Sequence, residues 1–237
     1  MKSWNGKNLS VKILYTRAGV AQTIWLAHKN DALLIDTGDG ALRDLLAHKL
    51  HPRSINGILY THGHFDHIGG LHSLLGFMRM VQRREVLRIY APEKSREVHA
   101  LIKTFKNLYK KTIPFTIVLK WLKPYAVFRV TGMTVKAYPV VHHGSINGAG
   151  ILAQIPALGY RITYKKESVA ITGDTGLCPS LKPLVQEADL AIIEATYKKD
   201  RGKAEYLKKV HLSQELAKKL GKTAKKFMLV HKATRAK

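Results

Sequence analysis

The 237-residue sequence is poor in cysteine, in long apolar runs and in acid. Cysteine occurs once, at Cys178, so no intramolecular disulfide can form; this argues against a stapled secreted scaffold and for a reducing, intracellular setting. No run reaches about 18 uncharged apolar residues, and the start, Met1-Lys2-Ser3-Trp4-Asn5-Gly6-Lys7, has no secretory apolar core behind it. A cytoplasmic protein with no membrane partner is the expectation. Neither a Gly-x-x-x-x-Gly-Lys-Ser/Thr loop nor a Gly-x-Gly-x-x-Gly turn occurs, which argues against nucleoside triphosphate and dinucleotide cofactors. Carboxylates are scarce: 16 Asp and Glu stand against 40 Lys and Arg, a formal net charge of +24. Such a field disfavours cationic substrates and favours polyanions, nucleic acid first among them.

Of what is present, the apolar share of 46% is enough to bury a sizeable core. There is no internal repeat and no Pro/Gly/Ser linker, so residues 1–237 read as one domain. Strands are expected over Val11–Thr16, Thr23–Ala27, Ala32–Asp36, Gly57–Thr61 and Leu87–Ala91, and helices over Leu42–Lys49, Ile68–Arg83 and onward from Pro92. The second half offers strands near Phe115–Leu119, Ala126–Val130, Thr134–Val140, Leu158–Tyr164, Ser168–Thr172, Leu190–Glu194 and Lys226–Val230. Helices there are expected near Leu181–Glu187 and over Ser213–Leu220. Strand-rich halves with interspersed helices suggest two packed sheets with helices outside. The excess charge is concentrated: Phe77–Lys136 and Lys198–Lys237 each hold fourteen Lys and Arg against three acids. Any one lysine is ordinarily a solvated surface residue, but blocks of this size suit phosphate neutralisation.

The densest chemistry lies in Thr61-His62-Gly63-His64-Phe65-Asp66-His67, directly after a strand. Imidazole and carboxylate are donors that suit Zn²⁺, Mn²⁺ or Fe, and the density of donors invites two metals about 3.5–4 Å apart. Two ions need more ligands than one loop supplies. His142, Asp174 and His231 each stand just past an apolar strand, where a lone histidine is ordinarily a surface residue but three together suggest convergence. His143, next to His142, is an alternative ligand. His28, His48, His51, His72 and His99 lie on helical or turn segments without such company, and Cys178 is incidental to the pattern.

The Thr-His-x-His-x-Asp-His run with the later His, Asp and His resembles the metallo-β-lactamase superfamily from Asp36 to His231. That resemblance implies a four-layer αββα sandwich and a dinuclear site. His62, His64 and His142 would hold one metal and Asp66, His67 and His231 the other, with Asp174 bridging. Asp36, in Ile35-Asp36-Thr37-Gly38, would order the metal loop. Finer blocks resemble the ribonuclease Z family: Ala137-Tyr138-Pro139-Val140-Val141-His142, Gly159-Tyr160-Arg161-Ile162, Thr172-Gly173-Asp174-Thr175-Gly176, Glu194-Ala195-Thr196-Tyr197 and His211-Leu212-Ser213. By that resemblance Glu194 orients His211 as the acid for the leaving oxygen; the chemistry of phosphodiester hydrolysis then makes Asp66 a candidate to take the proton of the attacking water and Tyr160 or Arg161 a candidate to steady the phosphate. The family's chemistry implies two divalent metals, zinc first with manganese or iron as alternatives. It also implies RNA as partner, transfer-RNA precursors in particular, and a homodimer as one assembly.

Three departures stand out. Ile193 replaces the family's histidine before Glu194. The gap from His142 to Gly159, carrying Gly144, Gly148 and Gly150, is long and suggests a loop over the site. Tyr160 to Val169 runs from strand to strand without the arm that long ribonuclease Z proteins insert there. The leading expectation is a metal-dependent endonuclease on RNA. A metallohydrolase of small phosphodiesters, lactones, thioesters or sulfate esters stays open beside it, as does a non-catalytic RNA-binding protein with a structural metal site.

Overall fold

A computed structural model describes residues 2–146, 150–200 and 204–233. They fall into two units, Met1–Leu122 and Lys123–Lys237, each organised on its own sheet.

The first unit carries strands β1 (Lys2–Asn5), β2 (Ser10–Arg17), β3 (Ala21–His28), β4 (Asp31–Ile35), β5 (Ile55–Leu59), β6 (Leu87–Pro92) and β7 (Ile117–Leu122). Its helices are α1 (Ala41–Ala47), α2 (Phe65–Ile68), α3 (Leu71–Met80) and α4 (Arg96–Leu108). Spatial order follows chain order from β1 to β7. The chain first meanders through antiparallel hairpins, β1 to β4, then switches to parallel pairing from β4 to β7. Parallel neighbours need a crossover, and α1, the α2–α3 pair and α4 supply the three. Their apolar stripes explain the placement: Leu45, Leu71, Leu74, Leu75, Met78, Val98, Ile102 and Phe105 pack on Leu34, Ile58, Ile89 and Ile117 of the sheet. In α4 the buried Val98, Ile102 and Phe105 recur at helical spacing, which leaves Lys103 and Lys106 in solvent. Because β4 to β7 are parallel, their carboxyl ends share one edge, the customary ligand edge of an α/β sheet.

The second unit carries β8 (Val127–Val130), β9 (Met133–Pro139), β10 (His142–Ile146), β11 (Gly150–Ile155), β12 (Leu158–Tyr164), β13 (Glu167–Ile171), β14 (Leu190–Glu194) and β15 (Phe227–Val230), with α5 (Leu181–Val185), α6 (Ala204–Lys209) and α7 (Gln214–Gly221). The sheet order is β15-β14-β13-β12-β9-β8, parallel from β13 to β15 and antiparallel elsewhere. Leu181, Leu184 and Val185 of α5 and Ala217 of α7 cover Ala170, Ala191, Ile193 and Leu229. The carboxyl ends of β13, β14 and β15 again share an edge, and Asp174, Glu194 and His231 stand on it.

Two expectations are corrected here. The helix expected over Ile68–Arg83 is two helices broken at Gly69-Gly70: Gly70 donates its N–H to Thr37 O at 2.8 Å rather than to its own helix. The loop expected after His142 is a hairpin, β10 paired antiparallel with β11, in which Gly148 lies outside the described residues. Where the arm of the long proteins would leave, β12 turns into β13 through Lys165-Lys166 alone, with Tyr164 paired to Glu167 and Lys165 in the left-handed region at φ 53°. No described helix is long and apolar enough to cross a membrane.

Candidate metal centre

In the first unit the metal loop leaves the carboxyl end of β5. His64 ends the loop in extended conformation and its carbonyl receives the N–H groups of His67 and Ile68, so Asp66 and His67 sit in the first turn of α2. His62 and His67 are fully buried, whereas Phe65 between the donors is 66% exposed.

Asp36 organises this loop from the end of β4. It is fully buried and held in the left-handed region, φ 59°, a strained conformation for a non-glycine residue. Its Oδ1 accepts the Thr61 N–H at 2.8 Å, and its Oδ2 accepts the Thr61 hydroxyl at 2.9 Å and the His67 Nδ1–H at 2.8 Å. With Nδ1 committed to a carboxylate, His67 presents a bare Nε2. The Thr61 hydroxyl, having given its proton to Asp36, is an acceptor for His62 Nδ1–H at 3.0 Å, which bares the Nε2 of His62 as well. That nitrogen meets His64 Nδ1 at 3.1 Å. Asp66 turns Oδ2 to within 3.8 Å of His67 Nε2 and is steadied by the Gly19 N–H at 2.9 Å. Burial pushes the Tyr60 phenol up, so it stays neutral and bonds Thr37 Oγ1 at 2.6 Å.

The loop rests on Gly38, where an added Cβ would run into the backbone carbonyl oxygen of Asp66, lie 2.5 Å from Gln22 N and 2.8 Å from Ala21 Cα. All three are backbone atoms, so nothing can swing away. Gly38→Ala is expected to cost about 1–3 kcal/mol and to shift Asp66; thermal unfolding alongside metal quantification checks both.

The second unit assembles its donors from strand ends. His142, at the start of β10, gives its Nδ1–H to Val210 O at 2.8 Å and so bares Nε2. His143 reaches across the hairpin instead, its Nδ1 2.9 Å from Leu152 O. Asp174 follows β13 and is 2% exposed, with Oδ1 3.3 Å from His231 Nδ1 and Oδ2 3.8 Å from His211 Nδ1. His231 follows β15 at φ 51°, in the left-handed region like Asp36, with Nδ1 3.1 Å from Thr196 Oγ1. Glu194 is fully buried and saturated: Oε1 accepts Leu212 N–H at 2.8 Å, Thr175 N–H at 3.2 Å and His211 Nδ1–H at 3.2 Å, and Oε2 accepts Thr196 N–H and Oγ1–H, each at 3.0 Å. The His211 side chain keeps 14% of its surface exposed. Glu194, His211 and His231 offer ligand atoms within 4.8 Å of one another. Beside them, burial pushes the Tyr197 hydroxyl up, the Glu194 charge adding to it, and its ring stands 5.7 Å from that of His211.

This donor set fits divalent metal. The imidazoles of His62, His67, His142 and His231 are buried with Nδ1 held by or beside carboxylate, hydroxyl or carbonyl, the outer-shell pattern that orients metal-binding histidines, whereas the half-buried His64 turns Nδ1 itself toward His62 Nε2. Sequence reasoning missed Gly19, Thr196 and the Val210 carbonyl, which act through backbone or hydroxyl atoms.

Two residues expected to touch substrate do something else. Arg161 spends its guanidinium on Gln186 O at 2.8 Å, Leu184 O at 3.4 Å and Ser168 Oγ at 3.2 Å, tying β12 to the end of α5. Tyr160 has no exposed edge, being buried in the sheet between Ala137 and Ile171. Neither is placed as a phosphate contact.

The sequence pattern of the Beta-lactamase superfamily domain matches residues 32–231. The chain belongs to that superfamily. It is 28% identical over 241 residues to Ribonuclease Z of Pyrococcus abyssi, covering 85% of this chain and 76% of the relative. It is 25% identical over 276 residues to Ribonuclease Z of Bacillus subtilis, covering 99% and 84%. Among solved structures, human tRNase Z, short form, aligns with a TM-score of 0.78 at 25% identity, covering 95% of this chain and 93% of that one. The metallo-β-lactamase fold protein YhfI of Bacillus subtilis aligns at 0.77 and 20% identity, which speaks to fold alone. The superfamily member described here is thus ribonuclease Z-like, has the metallo-β-lactamase fold of the α/β sandwich class, and is a metal-dependent hydrolase.

Proposed function

We propose that this superfamily member cuts RNA endonucleolytically with two divalent ions, zinc foremost, and that transfer-RNA precursors are its substrate. His62, His64 and His142 would hold one ion, Asp66, His67 and His231 the other, and Asp174 both. The observation that carries the reading is the Glu194–His211 pair: a saturated, buried carboxylate gripping Nδ1 of a histidine whose ring keeps an exposed edge. The relatives named Ribonuclease Z support the substrate class, and the +24 charge suits a polyanion.

When bound, the metals lower the pKa of water and offset charge on phosphoryl oxygens. The chain's residues do the rest. Asp66, held in orientation by the Gly19 N–H, accepts the proton of the attacking water. A departing ribose alkoxide leaves poorly unless protonated, and His211 delivers that proton from Nε2 while Glu194 keeps Nδ1–H in place. The Tyr197 ring stands edge-on to that of His211, 5.7 Å away.

The two-residue turn at Lys165-Lys166 favours a second reading, hydrolysis of a smaller phosphodiester, because no arm extends there to grip a folded RNA. One experiment separates the two: protein with Zn²⁺ or Mn²⁺ is incubated with precursor transfer RNA, short oligoribonucleotides and cyclic nucleotides, with bound metal quantified in parallel. Cleavage of the precursor with two ions per chain is expected; no cut in any RNA under either metal would sink the reading. Chelation should abolish turnover, and restoring metal at about 100 times its Kd should stabilise the fold by about 2.7 kcal/mol for each ion that binds. For a chain of this size that is about 5–10 °C in Tm, readable by scanning calorimetry.

A further inference from the structure

We propose that the groove between α4 and the edge strand β7 binds an unpaired stretch of the RNA substrate, with Lys103, Lys106 and Lys110 on its phosphates and Trp121 stacked on a base.

The groove has two adjoining parts. One, of 470 Å³, is lined by His99, Lys103, Lys106 and Trp121 among others, and the next, of 390 Å³, shares Lys106 and continues to Lys110. Three lysines spaced three and four residues apart form one row along the solvent side of α4 and the turn after it. Among the described residues no carboxylate pairs with any of them, and the stretch Phe77–Lys136 around them has fourteen cations against three acids. An unneutralised row beside a cleft is what a phosphate chain needs.

A lysine on an edge strand can serve merely to block strand addition. Lys120 on β7 is enough for that purpose, and it leaves the helix row unexplained. Trp121 points to the ligand's class. Its side chain is 42% exposed, its ring stands 6.2 Å from that of His99, and a large exposed aromatic at the end of a cationic row is the stacking platform of single-strand binders. A duplex hides its bases from such a ring.

The location links the groove to the chemistry. Parallel pairing sets Leu59 of β5 beside Tyr90 of β6 and Tyr90 beside Lys120 of β7, so Trp121 lies on the same carboxyl edge from which the metal loop leaves β5. Two strand spacings, about 10 Å, separate them. A strand of RNA lying along the row from Lys110 to Lys103 would therefore run toward His62 and His64.

The inference rests on the RNA reading above, and the test keeps the two apart. Affinity for a fluorescein-labelled unpaired 2′-O-methyl oligonucleotide is measured by anisotropy at several salt concentrations for wild type, K103A/K106A/K110A and W121A. Turnover of precursor RNA and of bis(p-nitrophenyl) phosphate is measured on the same proteins. The triple variant should lose about tenfold or more in affinity, and its log–log salt slope should flatten by about 2, three contacts at about 0.7 each. W121A should lose about fivefold or more with the slope unchanged. Small-diester turnover and metal content should not move. Wild-type affinity in the triple variant, or tighter wild-type binding of a duplex or of heparin than of the unpaired strand, overturns the groove. Absence of RNA cleavage by wild type with the binding changes intact overturns the function reading and leaves the groove standing.

Discussion

Asp36→Asn protein is expected to bind zinc about 10–100-fold more weakly than wild type and to unfold several degrees lower. Every group around the buried Asp36 carboxylate is a donor: Thr61 N–H and Oγ1–H, His67 Nδ1–H, and Gln22 Nε2 at 3.4 Å. Asparagine has the same shape but replaces one acceptor by an NH₂. If that NH₂ faces Thr61, a buried backbone N–H loses its acceptor, at about 1–3 kcal/mol, which is about 2–12 °C in a chain of this size. If it faces His67, the imidazole must accept at Nδ1, which moves its proton to Nε2, the atom proposed to bind metal. Either outcome harms the centre, and the second harms it without moving a heavy atom. Equilibrium dialysis against buffered free Zn²⁺, with thermal unfolding of the metal-free protein, reads the two effects separately. Unchanged zinc affinity would remove His67 from the ligand set or Asp36 from its control.

How much of this was legible in the sequence depends on how local each cause is. β4, β5 and β6 are readable because apolar runs end in turn chemistry, and α4 because Val98, Ile102 and Phe105 recur at helical spacing. The donors His62, His64, Asp66 and His67 announce themselves by density, and His142, Asp174 and His231 by following apolar strands. Strand β1 is not readable: Lys2–Asn5 is mostly exposed and earns its extended form only by pairing with β2. The break at Gly69-Gly70 depends on Thr37 O, more than thirty residues earlier in the chain. Arg161 fits a phosphate role until the carbonyls of Leu184 and Gln186 are seen to hold it. Positive φ at Asp36 and His231 is only weakly legible: aspartate and histidine enter the left-handed region more readily than most residues, but the strand ends that require it there are set by tertiary structure. What escaped is thus mostly backbone-mediated and long-range, while the residue types on which the proposed chemistry rests stand in the sequence itself.

On the proposed mechanism, His211→Ala should lower kcat for RNA by about 10²–10⁴-fold with metal content unchanged. The informative comparison is between leaving groups. A ribose alkoxide is strongly basic and needs a proton as the bond breaks, whereas p-nitrophenolate is stable as the anion. Turnover of bis(p-nitrophenyl) phosphate should therefore fall far less than RNA cleavage in the same protein. His211 is the better target than its partner, because Glu194 also receives the N–H groups of Thr175, Leu212 and Thr196, and its removal would strand those buried donors. Glu194, His211 and His231 also lie close enough to hold an ion of their own. That arrangement makes a different forecast: His211→Ala would lose bound metal and would slow both substrates alike. Equal loss on the two substrates, with or without loss of metal, would show that His211 is not the acid. A selective loss on RNA at full metal content would place the proton at its Nε2, the nitrogen that the Glu194 carboxylate leaves free by holding the other.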